Sequence, residues 1–288
     1  MVKILTVGWA NLDQRYYVEE FPPRASRTGV RAYRETIGGP AAVAALAVAR
    51  LGGAAHLLSR RGDDAAGERL QELLEAEGVK THFQLGAATP VSAVLVTPEG
   101  ERFIFPYRPA LPEELLLSQK DLLGEARALL LDGRWASAGY GLGQAARARG
   151  LPVVLDLDRD REEDWRLIQV ATHVVASEEL ALKKGGVDVL LAQLQALEVF
   201  AAVTLGAEGV AYAGGRVAAH KVHARDTTGA GDVFHGAFTL AVAEGQTELE
   251  ALEFASAVAA LHCANATPPR RDEVQTFLAS LAKGLLLG

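Results

Sequence analysis

Asp226-Thr227-Thr228-Gly229-Ala230-Gly231-Asp232 is the stretch of this chain whose residue types and order are best suited to chemistry. Three small residues in a row permit a tight turn in which several backbone N–H groups point the same way. The apolar run that follows predicts a helix over about 229–244, so those amides stand at a helix N-terminus, where the dipole favours negative charge. Such a turn suits the oxygens of a phosphoryl group in transfer. Asp232 falls in the first helical turn beside that anion site, where it can take the proton of an attacking hydroxyl. The helix end is expected to keep its carboxyl ionised. The plain alternative is an N-capped helix after a glycine turn, with Asp232 serving only the dipole.

The elements that must position this segment read as strands alternating with helices. Val2–Gly8 reads as a short buried strand, Pro40–Leu51 as a buried helix stopped by Gly52-Gly53, His56–Arg60 as a strand and Ala65–Glu77 as an amphipathic helix. Later strands are expected at Ala128–Asp132, Pro152–Asp156, His173–Ala176 and Val199–Leu205, with helical segments between them. A hairpin, Gly209–Ala213 with Arg216–Val222, leads into the Asp226–Asp232 segment. Two more helices, about 247–265 and about 271–286, close the chain. This rhythm predicts an α/β fold, a mainly parallel central sheet covered by helices. Two stretches break it. Val91–Thr97 and Glu101–Tyr107 alternate apolar residues around Pro98-Glu99-Gly100, a hairpin signature, and residues 13–36 fit poorly as a core helix. Both are read as parts of a small β lid, with segments at about 11–37 and about 85–110 inserted in one domain spanning the whole chain.

Bulk properties exclude several classes. A net charge of −7 without a long basic run argues against nucleic acid as a partner. No apolar stretch reaches the length of a membrane span, and the run after Met1–Lys3 is too short for a signal peptide, so no membrane partner and a cytoplasmic location are expected. Cys263 is the single cysteine, which rules out an intrachain disulfide and a cysteine metal cage. There is no Gly-x-x-x-x-Gly-Lys-Ser/Thr string. Gly139-Tyr140-Gly141-Leu142-Gly143 lacks the third glycine at dinucleotide-loop spacing.

The seven-residue string resembles the C-terminal signature of the ribokinase-like (PfkB) family of sugar kinases. Gly38-Gly39-Pro40-Ala41-Ala42 through Arg50-Leu51-Gly52 resembles the family's sugar-binding segment, Arg60–Asp64 with Gly67 its usual follow-on, and Val203–Gly209 its nucleotide-side turn. The four segments occur in the family's order across nearly the whole chain. The resemblance implies a three-layer α/β/α sandwich with a lid that often forms a homodimer interface, and an ATP-dependent kinase using Mg²⁺. It makes Asp232 the base and Gly229, Ala230 and Gly231 the anion hole. It places Asp13, Gly38 and Gly39 on the sugar and Thr204, Gly206 and Gly209 on the nucleotide. Thr228, His262 and Asn265 are placed near the nucleotide as well. Asp226 and Thr228 match positions that hold a monovalent cation, K⁺, in some members.

Departures from the family pattern are specific. Val43 stands where an asparagine usually contacts the sugar, and Ser177-Glu178-Glu179-Leu180 replaces the Asn-x-x-Glu motif linked to Mg²⁺, leaving Glu178 or Glu179 to compensate through water. The region Thr267–Arg271 lacks a glycine common there. Asp132-Gly133-Arg134-Trp135, Asp156-Leu157-Asp158 and Asp232-Val233-Phe234-His235-Gly236 are most similar to the sulfofructose kinase branch. Arg134, helped by Arg27 in the lid, is therefore a candidate to face an anionic group on the substrate. Two rival readings stand beside the sugar kinase. One is a nucleoside kinase of the same fold, suggested by Tyr16, Tyr17, Phe103 and Phe105. The other is a non-catalytic sugar- or nucleotide-binding regulator, suggested by Val43 and the altered Ser177–Leu180 segment.

Overall fold

The computed structural model describes residues 1–21, 29–98 and 100–282. Arg27 lies outside the described residues, as does the part beyond residue 282 of the helix expected over about 271–286. The chain begins with β1 (Lys3–Val7), β2 (Asn11–Val18), β3 (Val30–Gly38), α1 (Pro40–Arg50), β4 (Ala54–Gly62), α2 (Ala65–Ala76) and β5 (Lys80–Gly86). It continues with β6 (Val91–Val96), β7 (Arg102–Tyr107), α3 (Gln119–Leu123), β8 (Ala128–Leu131), α4 (Ala136–Ala148), β9 (Val153–Leu157) and α5 (Glu162–Leu167). Then come β10 (His173–Ser177), α6 (Glu178–Lys183), α7 (Val187–Gln195), β11 (Phe200–Thr204), β12 (Val210–Tyr212) and β13 (Gly215–Val217). The last elements are α8 (Ala230–Ala243), α9 (Glu248–Asn265) and α10 (Arg271–Ala282).

Nine strands form the central sheet in the order β13-β12-β11-β10-β9-β8-β1-β4-β5, parallel except for the two strands at the β13 edge. Successive side chains point to opposite faces, and both faces are buried. Ile4, Leu57, Leu130, Val154, Val175 and Ala202 pack on one side under α1, α2, α8, α9 and α10. Their neighbours Leu5, Leu58, Leu129, Leu155, Val174 and Val203 pack on the other under α3 to α7. This is the three-layer α/β/α arrangement expected from the sequence.

Local chemistry sets the helix ends. Asp64 caps α2 by accepting the Gly67 amide at 2.8 Å, and Thr247 with Glu250 forms a capping box on α9. Two expectations need correction. β5 was not foreseen, because Lys80–Gly86 is an edge strand with mixed exposure and no clear alternation; Leu85 and Gly86 therefore belong to the central sheet rather than to the lid. The strand expected to run to Val222 stops at Val217, so the chain enters Asp226–Asp232 from an irregular segment.

The four remaining strands make a separate small sheet in the order β3-β2-β6-β7, which acts as a lid. Its register decides which residues share a face. Asp13 pairs with Ser92, which pairs with Pro106, and Tyr17 pairs with Val96, which pairs with Arg102. Asp13, Arg15, Tyr17 and Arg102 thus lie on one face, while Tyr16, Phe103 and Phe105 lie on the other.

Candidate active site

Gly229 adopts φ +75° as the N-cap of α8, the left-handed conformation that makes a glycine suitable there. The Ala230 amide is taken by the Thr227 carbonyl at 3.2 Å, and the next bond of the turn joins the Val233 amide to the Gly229 carbonyl. The Gly231 and Asp232 amides meet no acceptor among the described residues, so they open toward solvent at the positive end of the helix. Within the expected Gly229–Gly231 trio Ala230 is committed to the turn itself, and the Asp232 amide stands open beside that of Gly231.

α8 approaches α1 so closely that a Cβ on Gly236 would lie 2.4 Å from the Ala44 carbonyl oxygen. That crossing brings Val43 of α1 to the phosphate-binding turn: a Cβ on Gly229 would lie 3.3 Å from Val43 Cγ1. The residue at the departure position therefore packs against the anion hole.

Asp232 is half-buried in a charged neighbourhood. Burial, reinforced by the Asp156 carboxylate, pushes its carboxyl up to about 7, while His235 and Arg134 pull the other way. The sequence argument expected the helix end to hold it low; desolvation and a second buried acid outweigh the dipole. Asp156 is itself raised, by burial first. His235 places Nε2 3.5 Å from the Asp156 carboxylate and is held by the Gly231 and Val175 carbonyls.

The lid supplies a second set of polar groups. Asp13 Oδ1 accepts from Asn11 Nδ2 at 2.6 Å, and Asn11 also donates to Ser92 Oγ at 3.1 Å. Burial raises the Asp13 carboxyl, against the pull of Arg15, Asn11 and Ser92. A Cβ on Gly38 would lie 2.6 Å from Asp13 Oδ1, and one on Gly39, at φ +93°, would lie 2.5 Å from the Trp9 carbonyl. The glycine pair lets β3 turn into α1 directly against Asp13. Two members of this arrangement escaped the sequence reading. Asn11 carried no motif, and Asp132 was read as the end of a strand. Asp132 Oδ2 accepts the Trp9 and Ala41 amides at 2.7 and 3.1 Å, tying the end of β1 to the start of α1.

On the other side of the turn is a cavity of about 490 Å³, within the range of small-molecule sites. Thr204, Gly206, Gly209, Ala230 and Gly231 line it, and α9 contributes Ser256, Ala259, Ala260 and Cys263. Gly209 is required by contact as well as by φ +91°, since its Cβ would lie 2.0 Å from the Val217 carbonyl. His262 and Asn265 do not line the cavity. His262 is buried behind it, with Nε2 2.7 Å from the Thr228 carbonyl, and Asn265 is exposed at the end of α9. On a helix the residues one and two positions away face elsewhere, and Cys263 occupies the wall instead of acting as a core filler.

The family model for pfkB carbohydrate kinases matches residues 1–268. This chain belongs to the pfkB family of carbohydrate kinases. It is 30% identical to the ribokinase of Haemophilus influenzae, over 96% of this chain and 99% of that protein. It is 27% identical to the ribokinase of Bacillus subtilis, over 96% of this chain and all of that protein. Among solved structures it is similar to Arabidopsis thaliana ribokinase complexed with ribose and ATP, with a TM-score of 0.83 at 26% identity over 96% and 99% of the two chains. As a pfkB kinase it is a phosphotransferase acting on an alcohol group of a sugar.

Three expected pfkB features look different in this member. The Arg134 guanidinium is held by its own chain: Nη2 pairs with Asp158 and Nη1 donates to the Asp132 carbonyl at 2.9 Å. Arg134 is therefore not a free anion-binding group. Glu178 is exposed at the start of α6, and Glu179 pairs with Lys183 at 2.6 Å. No cluster of three potential metal ligands occurs among the described residues, and a single exposed carboxylate fits only an Mg²⁺ carried mainly by nucleotide phosphates and water. Asp226 and Thr228, matched above to a K⁺ site, are already occupied by arginines: Asp226 pairs with Arg15 at 3.1 Å and with Arg102 at 2.7 Å.

Proposed function

We propose that this protein transfers the γ-phosphoryl group of ATP to a hydroxyl of a small, neutral sugar. The observation that carries this reading is that Asp232 stands in the first turn of α8 next to Gly231, which with Gly206 and Gly209 lines the cavity, while the lid holds a glycine-backed Asp13. A nucleotide in the cavity presents its phosphates to the Gly231 and Asp232 amides. A sugar under the lid presents hydroxyls to Asp13 and to Asp232. Asp232 then accepts the proton of the attacking hydroxyl, while the fixed amides balance charge on the transferred group. Mg²⁺ brought by ATP would offset the phosphate charge, and Glu178 would be the carboxylate to meet its water shell.

Neutral is favoured over anionic because three cations on this side of the molecule, among the described residues, already face carboxylates. Arg134 is paired with Asp158, and Arg15 and Arg102 with Asp226. A nucleoside acceptor has less support: of the four aromatic residues that suggest it, Tyr16, Phe103 and Phe105 lie on the lid face opposite to Asp13 and Tyr17 alone shares its face. The cytoplasm is the expected compartment, and none of the described helices is long and apolar enough to cross a membrane.

The test is ADP release from Mg-ATP with a panel of pentoses, hexoses, sugar acids, sulfonated sugars and nucleosides, with Asp232→Asn in parallel. Turnover on a neutral sugar, lost in the variant, is the expected result. Turnover confined to anionic sugars or nucleosides would overturn the substrate assignment.

A further inference from the structure

The turn that leads into the anion hole is clamped from the lid. Arg102, at the start of β7, places Nη2 2.7 Å from Asp226 Oδ1, and its Nη1 is hydrogen-bonded to Thr228 Oγ1. Arg15, in the middle of β2, places Nη1 3.1 Å from Asp226 Oδ2. The three side chains are largely shielded, at 18%, 17% and 14% exposure. Shielding of this degree distinguishes them from surface pairs of little consequence. The Thr228 amide donates to Asp226 Oδ1 at 2.7 Å.

A monovalent cation bound here would need free oxygens, and the Asp226 carboxylate, the Thr228 hydroxyl and the Thr228 carbonyl are engaged. Both Asp226 oxygens accept from guanidinium groups. The Thr228 carbonyl faces His262 Nε2 at 2.7 Å, and the Cys263 carbonyl accepts the Arg225 and Asp226 amides at 2.8 and 3.2 Å. Two guanidiniums on one carboxylate also leave a positive charge beside the phosphoryl-binding amides, the sign the reaction calls for. Burial alone would raise the Asp226 carboxyl, yet the Thr228 donors and the two arginines hold it below the usual range, so it stays an anion for them to grip.

We infer that Arg102, seconded by Arg15, replaces the monovalent cation at Asp226 and Thr228, so that catalysis proceeds without such an ion and the phosphoryl-binding turn is held by the lid. The inference rests on the kinase reading above. Arg15 and Arg102 are positioning residues: they act on the acceptor site through Asp226 and Thr228. Because both belong to the lid sheet, on the face shared with Asp13, the contact that orders the turn is made only with the lid down on it.

The test measures kcat/KM on the best neutral sugar with K⁺, Na⁺ or tetramethylammonium as the only monovalent cation, at constant ionic strength. The wild-type value should change by less than about twofold among the three ions, well inside the tenfold that 1.4 kcal/mol represents. Arg15→Ala/Arg102→Ala should lose about tenfold to a hundredfold in tetramethylammonium and regain part of it in K⁺, which can enter the freed carboxylate. Asp226→Asn should show a comparable loss with no recovery in K⁺. Its thermal melt, with that of the double variant, separates lost positioning from lost folding. Activation of the wild type by K⁺ of about tenfold or more, or a double variant as active as wild type in tetramethylammonium, would sink the inference. Calorimetric binding of Mg-ADP in the same three ions gives a readout that needs no turnover. If binding is ion-independent in the wild type and ion-dependent in the double variant while no sugar is phosphorylated, the kinase reading falls and the latch stands. A working kinase stimulated by K⁺ removes the latch alone.

Discussion

His235 Nε2 lies 3.5 Å from the Asp156 carboxylate, one helical turn behind the proposed base. The same ring places Nδ1 2.6 Å from the Gly231 carbonyl and Nε2 3.1 Å from the Val175 carbonyl. Carbonyl oxygens only accept, so both ring nitrogens must donate and the imidazole is held as its cation. Burial opposes that charge, but Asp156, the two carbonyls and Asp232 outweigh it and raise the His235 pKa. A buried cation thus faces the buried Asp156 one turn from the half-buried Asp232, and through Gly231 it also fixes the anion-hole backbone.

At about pH 8, where an ordinary histidine is neutral, ¹⁵N-resolved spectra should show both His235 ring nitrogens protonated. His235→Gln should lower kcat by about tenfold or more and move the acid limb of the pH profile upward, because removing the cation makes Asp232 harder to ionise. A ring with one bare nitrogen at that pH would remove this account.

Asp232 must be ionised to act as a base, and its carboxyl is pushed up to about 7. The rate should therefore fall as pH drops below about 7, approaching tenfold per unit. Stability carries the opposite sign. The native state holds this proton more tightly than the unfolded chain, so raising pH from about 4 through about 7 destabilises the fold. Asp232→Asn should abolish turnover by a factor of about 10² to 10⁴ yet raise the melting temperature at about pH 8 by several degrees. A variant that melts lower than the wild type at that pH would contradict the strained carboxyl.

Gly236 allows the crossing of α8 over α1. Gly236→Ala puts a methyl 2.4 Å from backbone that cannot rotate away, so α8 must shift relative to Val43 and the turn. The expected effect is about 1–3 kcal/mol of stability together with a reduced kcat. Gly38→Ala should act differently. Its methyl meets Asp13 Oδ1 at 2.6 Å, on the sugar side, so KM for the sugar should rise more than kcat falls. Denaturant unfolding and steady-state kinetics on the two variants separate the effects.

On the lid face opposite Asp13, Phe105 and Tyr107 are more than half exposed and Tyr33 is nearly so. A row of apolar side chains on a small sheet fits a second copy of the chain. Light scattering should report a dimer, and Phe105→Glu with Tyr107→Glu should convert it to monomer. A monomeric wild type at micromolar concentration would exclude the lid–lid homodimer.

The sequence by itself determined the layered fold and the reactive segment, because both depend on local order. Consecutive apolar residues such as Ile4–Leu5, Leu57–Leu58 and Val154–Leu155 commit each strand to two buried faces. The run Gly229-Ala230-Gly231-Asp232 encodes a turn, a helix start and an acid within one stretch. Tertiary structure decided what depends on residues far apart in the chain. Arg15 and Arg102 meet Asp226 and Thr228 across separations of 211 and 126 residues, and no local pattern announces such a contact. The same applies to the carboxyl of Asp232. Its helix position argues for a low pKa, and burial in the assembled fold, reinforced by Asp156 from a strand of the central sheet, reverses the direction. Desolvation and charge proximity are properties of the assembled interior, and they override the short-range dipole that the sequence displays.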